Sequence, residues 1–385
     1  MKGKFINRAG QYVQQPQGYR AFIPKGLPPH PQIRMDHEMW TLLSQADRAL
    51  GRLDGSTEIL PNPDLFVFMY VRREAVLSSQ IEGTQASLID VLEFEEKALE
   101  PDHPRDVEEV VNYVNAMNFG IERLKNLPLS LRLICEIHDK LLAGVRGSER
   151  NRGEFRRTQN WIGPPGCTLA EAQFVPPPPH EMEESLGNLE RFFYDQTPMP
   201  MLIKVGLVHA QFETIHPFLD GNGRMGRLLI TFLLCEKGIL QRPLLYLSYF
   251  FKRHRAEYYD RLQATRDKGD WEGWLKFFLR GVYEVAQEAT DTARKIVNLR
   301  EEHRQLITER LGRGAPKAHA LLESLYFRPI VSVALVTKIT GLTYPNANSL
   351  VKQFTQIGLL HEITGQKKYR RFSYDPYLEL LRDDS

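Results

Sequence analysis

The 385-residue sequence is poor in cysteine. Its three thiols, Cys135, Cys167 and Cys235, are far apart and odd in number, and none belongs to a CxxC pair or a Cys/His cluster. A disulfide scaffold, a zinc ribbon and a dithiol redox site are therefore excluded, and the thiols suit a reducing compartment. Long apolar runs are also missing. No segment approaches the roughly 20 apolar residues that span a bilayer. The start, Met1-Lys2-Gly3-Lys4-Phe5, is basic but no apolar stretch follows it, so no secretory leader is expected and the chain reads as cytoplasmic. Charge of one sign is lacking too. A formal net charge of +2 gives no global field for nucleic acid or acidic membranes, which leaves only a local basic patch. No internal repeat is visible.

What is there is a globular composition, 42% hydrophobic and 25% charged, on a chain long enough for two or three domains. Residues 1–35, rich in Pro, Gly and Gln, read as an extended arm packed on something else or partly disordered. Apolar spacing predicts a helix over 35–53, a break at Asp54-Gly55-Ser56, and a second helix over 64–81 that Gly83 stops in a left-handed turn. Further helices are expected over 87–99, 103–126 and 129–142. The helical period then vanishes. Gly147 to Phe174, with Phe155, Trp161 and Ile162 around Gly163-Pro-Pro-Gly166, reads as a β-hairpin with a polar tip. Helices return over 180–195, 200–214 and 224–237, the last ended by Gly238. Residues 255–312 read as helical and increasingly charged, up to a turn-rich break at 311–316.

The chemistry concentrates in His216-Pro-Phe-Leu-Asp-Gly-Asn-Gly-Arg-Met-Gly-Arg227. Pro217 and the glycines forbid a continuous helix through the segment. Gly221 and Gly223 allow a tight turn that feeds a helix near Arg224. A glycine turn at a helix start is an anion site, because unpaired N–H groups and the helix dipole both favour negative charge. Arg224 and Arg227 lie on one face of that first turn and suit a polyphosphate. Asp220 is a hard oxygen ligand for Mg²⁺. His216, titrating near neutrality, suits proton transfer from a hydroxyl.

This segment resembles the Fic (Fido) family signature, His-x-Phe-x-Asp/Glu-Gly-Asn-Gly-Arg-x-x-Arg, at every defined position, and the resemblance extends over roughly residues 60–280. It implies a mainly α fold: a Fic helical bundle with a β-hairpin flap. It implies transfer of AMP from ATP to a Ser, Thr or Tyr hydroxyl of a target protein or of the chain itself. His216 would be the general base and Asp220 the Mg²⁺ ligand. Gly221, Asn222 and Gly223 would form the anion hole, and Arg224 and Arg227 would hold the outer phosphates. The flap, near 153–174, would dock the target. Tyr258, Tyr259 and Arg253 are candidates for adenine contact.

Ser78-Ser-Gln-Ile-Glu82-Gly83 fits a second family pattern: Ser or Thr, three residues, Glu, then Gly or Asn. A carboxylate in the last turn of a helix meets the negative end of the dipole, which suggests a cationic partner elsewhere. In relatives with an N-terminal inhibitory helix this Glu pairs with the second arginine of the signature, here Arg227, so the enzyme is expected to restrain itself. Removal of AMP and transfer of another nucleotidyl group stay open as alternatives.

Four segments are thus expected: an arm and helix over 1–60, a Fic core over 61–285, a helical connector over 286–312, and a separate unit over 313–385. The last resembles the winged helix-turn-helix of bacterial regulators. Helices are expected over 319–326, 331–340 and 344–357, then two strands around Gly365. Asn346, Asn348, Ser349 and Lys352 would face a groove, and Lys367, Lys368, Arg370 and Arg371 would make a basic wing. DNA, or another protein or a second copy of the chain, is its expected partner. A regulator whose Fic site only senses nucleotide is the alternative from a different class.

Overall fold

The computed structural model describes residues 7–58, 63–96, 105–145, 149, 151–164, 166–366 and 368–382. The expected boundary residues Leu99, His103 and Gly147, the first six residues of the arm and Lys367 of the wing lie outside them. The described residues form fifteen α-helices and two small antiparallel sheets.

The arm is not loose. β1 (Gly10–Gln14) pairs with β2 (Arg20–Pro24), with Tyr12 opposite Phe22, and the Phe22 N–H donates to the Val175 carbonyl. Arg8 pairs with Glu272. Buried Phe22 explains the order: an apolar side chain in a polar arm gains about 2 kcal/mol by leaving water.

The expected break at Asp54-Gly55-Ser56 is helical. α1 runs from His37 to Glu58 and packs lengthwise on α11 (Trp271–Leu311). The burial of Met39, Leu43, Ala46, Leu50 and Leu53 outweighs the roughly 1 kcal/mol that Gly55 costs inside a helix. α2 (Pro63–Ile81), α3 (Leu88–Glu96), α4 (Arg105–Leu124) and α5 (Leu131–Leu141) follow. Then come α6 (Pro179–Phe193), α7 (Met201–Ile215) and α8 (Asn222–Glu236). α7 and α8 are nearly all buried, and their junction carries the signature. α9 (Leu247–Arg253) was not foreseen, nor was the stop after α10 (Arg255–Lys268). There Gly269 adopts φ 67° and the Asp270 side chain caps α11 by accepting from the Gly273 N–H. The stretch expected as one charged helix is therefore two, and α11 continues unbroken for 41 residues.

The last residues form α12 (Ala315–Leu325), β3 (Ile330–Ser332), α13 (Val333–Thr340), α14 (Tyr344–Gln356), β4 (His361–Glu362), β5 (Arg371–Ser373) and α15 (Asp375–Glu379). The strands lie in the order β3-β5-β4. β3 falls inside the helix expected to begin at 331, because Ser332 caps α13 through its side chain. No helix of the described residues is long and apolar enough to cross a membrane.

Candidate active site

α7 ends at His216, which adopts the left-handed conformation (φ 50°, ψ 60°) that non-glycine residues avoid. That strain, of order 1–3 kcal/mol, is held by its surroundings. The His216 N–H donates to the Phe212 carbonyl at 2.9 Å. Arg156 Nε and Asn160 Nδ2 donate to the His216 carbonyl at 3.0 and 3.3 Å, and the Arg156 N–H donates to the Pro217 carbonyl. The imidazole is enclosed. Burial, with Arg266 and Arg156 nearby, lowers its pKa to about 3, so it is neutral at physiological pH.

The turn 217–221 is built by two side chains. Asn222 donates to the Phe218 carbonyl and accepts from the Phe218 N–H, both at 2.8 Å. Its amide therefore staples the loop, so any contribution to an anion hole comes from its backbone N–H. His138, on the apolar face of α5, accepts from the Gly153 N–H through Nδ1 at 2.9 Å. That fixes the tautomer: Nε2–H donates to the Asp220 carbonyl at 3.0 Å. The ring stacks on Phe218 at 3.6 Å, and burial lowers its pKa to about 4. Gly221 takes φ 75°, which a side chain would strain. The first helical bond of α8 runs from the Met225 N–H to the Gly221 carbonyl. The N–H groups of Asn222, Gly223 and Arg224 thus form the anion-favouring end of the helix.

Two carboxylates from the N-terminal helices meet the two arginines here. α2 ends in a Schellman motif: the Thr84 N–H donates to the Ser79 carbonyl and the Gly83 N–H to the Gln80 carbonyl, with Gly83 at φ 101°. This places Glu82 at the cap, aimed at α8. Its Oε1 accepts from Arg227 Nη2 at 2.7 Å. Arg227 also donates to Ser78 Oγ at 2.8 Å and to the Ser78 carbonyl at 3.0 Å. Burial opposes the Glu82 charge, but the Arg227 guanidinium prevails and holds its carboxyl below the usual range. A methyl group on Gly223 would lie 2.2 Å from Glu82 Oε1, so the carboxylate presses on the start of α8 where an anion would sit. Arg224 pairs with Glu109 of α4 at 3.3 Å and lies 3.5 Å from Asp220.

His216, Asp220, Gly221, Gly223, Arg224, Arg227, Ser78 and Glu82 are thus brought to one place. The adenine candidates divide. Tyr258 is buried, and its hydroxyl donates to His209 Nε2 at 2.9 Å, because His209 Nδ1–H is taken by the Gly226 carbonyl. Its ring belongs to the core, which corrects the expectation that both tyrosines line a pocket. Tyr259 is 42% exposed. Arg253 lies against Tyr249. The expected hairpin is reduced to one antiparallel bridge, Ile162–Phe174, with a 3₁₀ turn at Leu169–Glu171. Its base is anchored by buried Arg156, which donates to the Thr158 and Pro177 carbonyls. Sequence reasoning missed Glu109, Arg156 and His138. Only His138 carried a signal, a histidine among the buried Leu133, Ile134, Ile137 and Leu141 of α5.

Residues 40–122 match the Fic/DOC family N-terminal domain and residues 128–234 match the Fic/DOC family domain. The chain belongs to the Fic/DOC family. Among curated relatives of this Fic/DOC chain is the protein adenylyltransferase Fic of Aedes aegypti, 31% identical over 188 residues, which are 47% of this chain and 32% of that protein. A probable protein adenylyltransferase of Aquifex aeolicus is 29% identical over 181 residues, 46% of this chain and 51% of its own. The match thus spans a third to a half of these relatives. A crystal structure of a Fic family protein from Desulfovibrio desulfuricans shares the fold with a TM-score of 0.57 at 18% identity, covering 89% of this chain and 97% of that one. Fic-1 (aa134–508) from C. elegans does so at 0.51 and 21%, covering 68% and 74%.

Proposed function

We propose that the chain is a protein adenylyltransferase held off by Glu82. The observation that carries the reading is the seating of Glu82 on Arg227 at the start of α8, beside a neutral His216. In the reaction, His216 takes the proton of a target Ser, Thr or Tyr hydroxyl. The hydroxyl oxygen forms a bond to the α-phosphorus of ATP as the bond to pyrophosphate breaks. The N–H groups opening α8 and the two arginines offset the phosphate charge. The family implies Mg²⁺. The single, partly exposed Asp220 carboxylate fits that ion, which characteristically binds one or two protein carboxylates together with substrate phosphates and water. No group of three or more His, Cys, Asp or Glu side chains suited to a metal occurs among the described residues. Bound there, Mg²⁺ would neutralise charge on the leaving pyrophosphate.

Glu82 restrains this site because an outer phosphate of ATP and the Glu82 carboxylate seek the same guanidinium and the same helix start. Glu82→Gly is expected to raise labelling by ATP at least tenfold. Arg227 keeps both bonds to Ser78 in that variant, so the fold survives. His216→Ala in the Glu82→Gly background is expected to abolish labelling. Labelling that survives His216→Ala refutes the assignment of the base. Glu82 can instead orient water for removal of AMP, and incubation of an AMP-modified target with the wild-type chain distinguishes that activity.

The finer readings go with this one. The anchored segment 153–174 docks an extended stretch of the target. Residues 313–385 act as a winged helix-turn-helix, with Asn346, Ser349 and Lys352 exposed on α14 and Lys368 exposed in the wing. Asn348 accepts from Arg370, and Arg371 pairs with Glu93 of α3 at 3.2 Å, so the wing offers duplex DNA fewer cations than its sequence promises. The three free thiols suit the cytoplasm.

A further inference from the structure

We infer that Arg156 is a positioning residue for the transfer, which ties the target-docking segment 153–174 to the base, His216. Both assignments are those of the proposed function, on which the inference rests. No side chain of the described residues is hydrogen-bonded to the His216 imidazole, and its Nδ1 is buried without a partner. The ring is therefore aimed by its backbone, which stands in the left-handed conformation. Such a backbone persists only where its surroundings hold it. Arg156 supplies that hold. Its Nε donates to the His216 carbonyl at 3.0 Å, its Nη2 reaches the Ile215 carbonyl at 3.5 Å, and its N–H donates to the Pro217 carbonyl at 2.9 Å. The same guanidinium donates to the Thr158 and Pro177 carbonyls, which flank the bridge Ile162–Phe174 on its two limbs.

Arg156 is 1% exposed, and no carboxylate of the described residues pairs with it. A buried cation ordinarily needs a carboxylate. Carbonyl dipoles take that place here. The Ile215 carbonyl belongs to the last turn of α7, where carbonyls lack helical partners and the dipole is negative. Burial lowers the Arg156 pKa only to about 10, so the side chain stays charged. Donors fixed in one plane suit carbonyls that converge from three segments, and a lysine ammonium does not reproduce that fork. Bonds to Thr158 and Pro177 would be enough to anchor a loop. The bonds to residues 215 and 216 are the ones that join the loop to the base. Asn160 adds a second link, since its Nδ2 donates to the His216 and Phe218 carbonyls at 3.3 and 2.8 Å. Arg266, the other buried arginine at this helix end, donates to the Glu213 carbonyl and to Thr214 Oγ1. It braces α7 without reaching the His216 peptide.

The test uses the full chain carrying Glu82→Gly as parent, with Arg156→Met, Arg156→Lys or Asn160→Ala added. Initial rates of labelling are measured against ATP concentration. Hydrogen exchange is followed by mass spectrometry over 153–177, 212–218 and 222–236. Arg156→Met is expected to lower the maximal rate about twentyfold or more and to leave the KM for ATP within about threefold, because the start of α8 is untouched. Arg156→Lys, which keeps the charge, is expected to recover part of the rate. Exchange is expected to rise together in 153–177 and 212–218, with 222–236 as in the parent. Asn160→Ala, a small change at a half-buried position, is expected to lower the rate about threefold with the same exchange pattern. Exchange that rises in 153–177 alone, with the maximal rate kept, overturns the inference. So does a KM for ATP that rises in step with the fall in rate. Exchange raised throughout the chain marks mere structural support and overturns it too. Where Arg156→Met does not fold, an Asn160→Ala chain with the rate and exchange of the parent overturns it. If the parent does not label, the proposed activity fails, and a joint or separate rise of exchange in the two segments still decides whether Arg156 ties them.

Discussion

At the scale of single residues the site depends on groups kept in unusual charge states by burial. His216 and His209 titrate at about 3 and His138 at about 4, against 6.5 when exposed. Each contributes stability that is complete above about pH 6.5 and is lost as pH falls toward the folded value. Glu74 and Glu213 are pushed up to about 7 by burial. Their contribution is complete below about pH 4.5 and is lost as pH rises through 7. Between about pH 4.5 and 6.5 the three histidines and the two carboxylates largely cancel. The net slope there is about one proton, or roughly 1.4 kcal/mol per pH unit. Below about pH 4.5 the histidines act without opposition, and the depressed Glu82 works in the same direction. Urea midpoints measured from pH 3.5 to 7.5 are expected to rise steeply up to about 4.5 and gently from 4.5 to 6.5, and to fall again above 6.5 as Glu74 and Glu213 ionise. A midpoint that stays level down to pH 3.5 contradicts the buried neutral histidines. His138→Ala removes the bonds to Gly153 and Asp220 and the stack on Phe218. It is expected to cost about 2–4 kcal/mol and, in the Glu82→Gly background, to lower labelling at least tenfold.

At the scale of elements the brake is a property of how α2 ends. Gly83 takes φ 101°, and a methyl group added there meets nothing within 4 Å, so Gly83→Ala is resisted by backbone strain alone, about 1–2 kcal/mol. That strain loosens the turn that aims Glu82. Gly83→Ala is expected to raise labelling several-fold over the wild type, below the level of Glu82→Gly. A level equal to wild type means the turn holds without Gly83. This stop was legible in the sequence because a glycine after a helical run has one common use. The signature segment was legible for a related reason: proline, glycines and paired arginines each restrict the backbone or the chemistry sharply. The break expected at Asp54-Gly55-Ser56 failed because local turn residues yielded to packing along α11, which no local pattern reports. The hairpin pairs, but through the single bridge Ile162–Phe174. Its shape is set by Arg156 bonding to carbonyls from three segments, and an arginine in a loop carries no mark of that. Tyr258 was misjudged because helical spacing does not say which neighbours enclose a ring.

At the scale of the molecule the C-terminal unit leans on the helix that carries the brake. Phe68 of α2 meets Phe327 edge to face at 5.8 Å, and Arg371 of β5 reaches Glu93 of α3. A cavity of about 690 Å³, lined by Phe68, Arg72, Leu92, Phe327 and Leu335 among others, lies at this junction. The junction therefore meets across an open cleft rather than a continuous packed face. The opposite side is firm, since α11 runs into the C-terminal unit without a break and buries Ile307 near its end. Unfolding of the intact chain is therefore expected to be cooperative, with both parts melting together through α11. Phe327→Ala enlarges the existing cavity and removes the edge-to-face pair. It is expected to cost about 2–3 kcal/mol, and because the loss falls at the joint it should separate the transitions. Scanning calorimetry is expected to resolve an early transition of the C-terminal unit in Phe327→Ala, with the main transition lowered by only a few degrees. A single transition shifted as a whole would mean that α11 alone couples the two parts, and that the seat on α2 contributes little to holding them together.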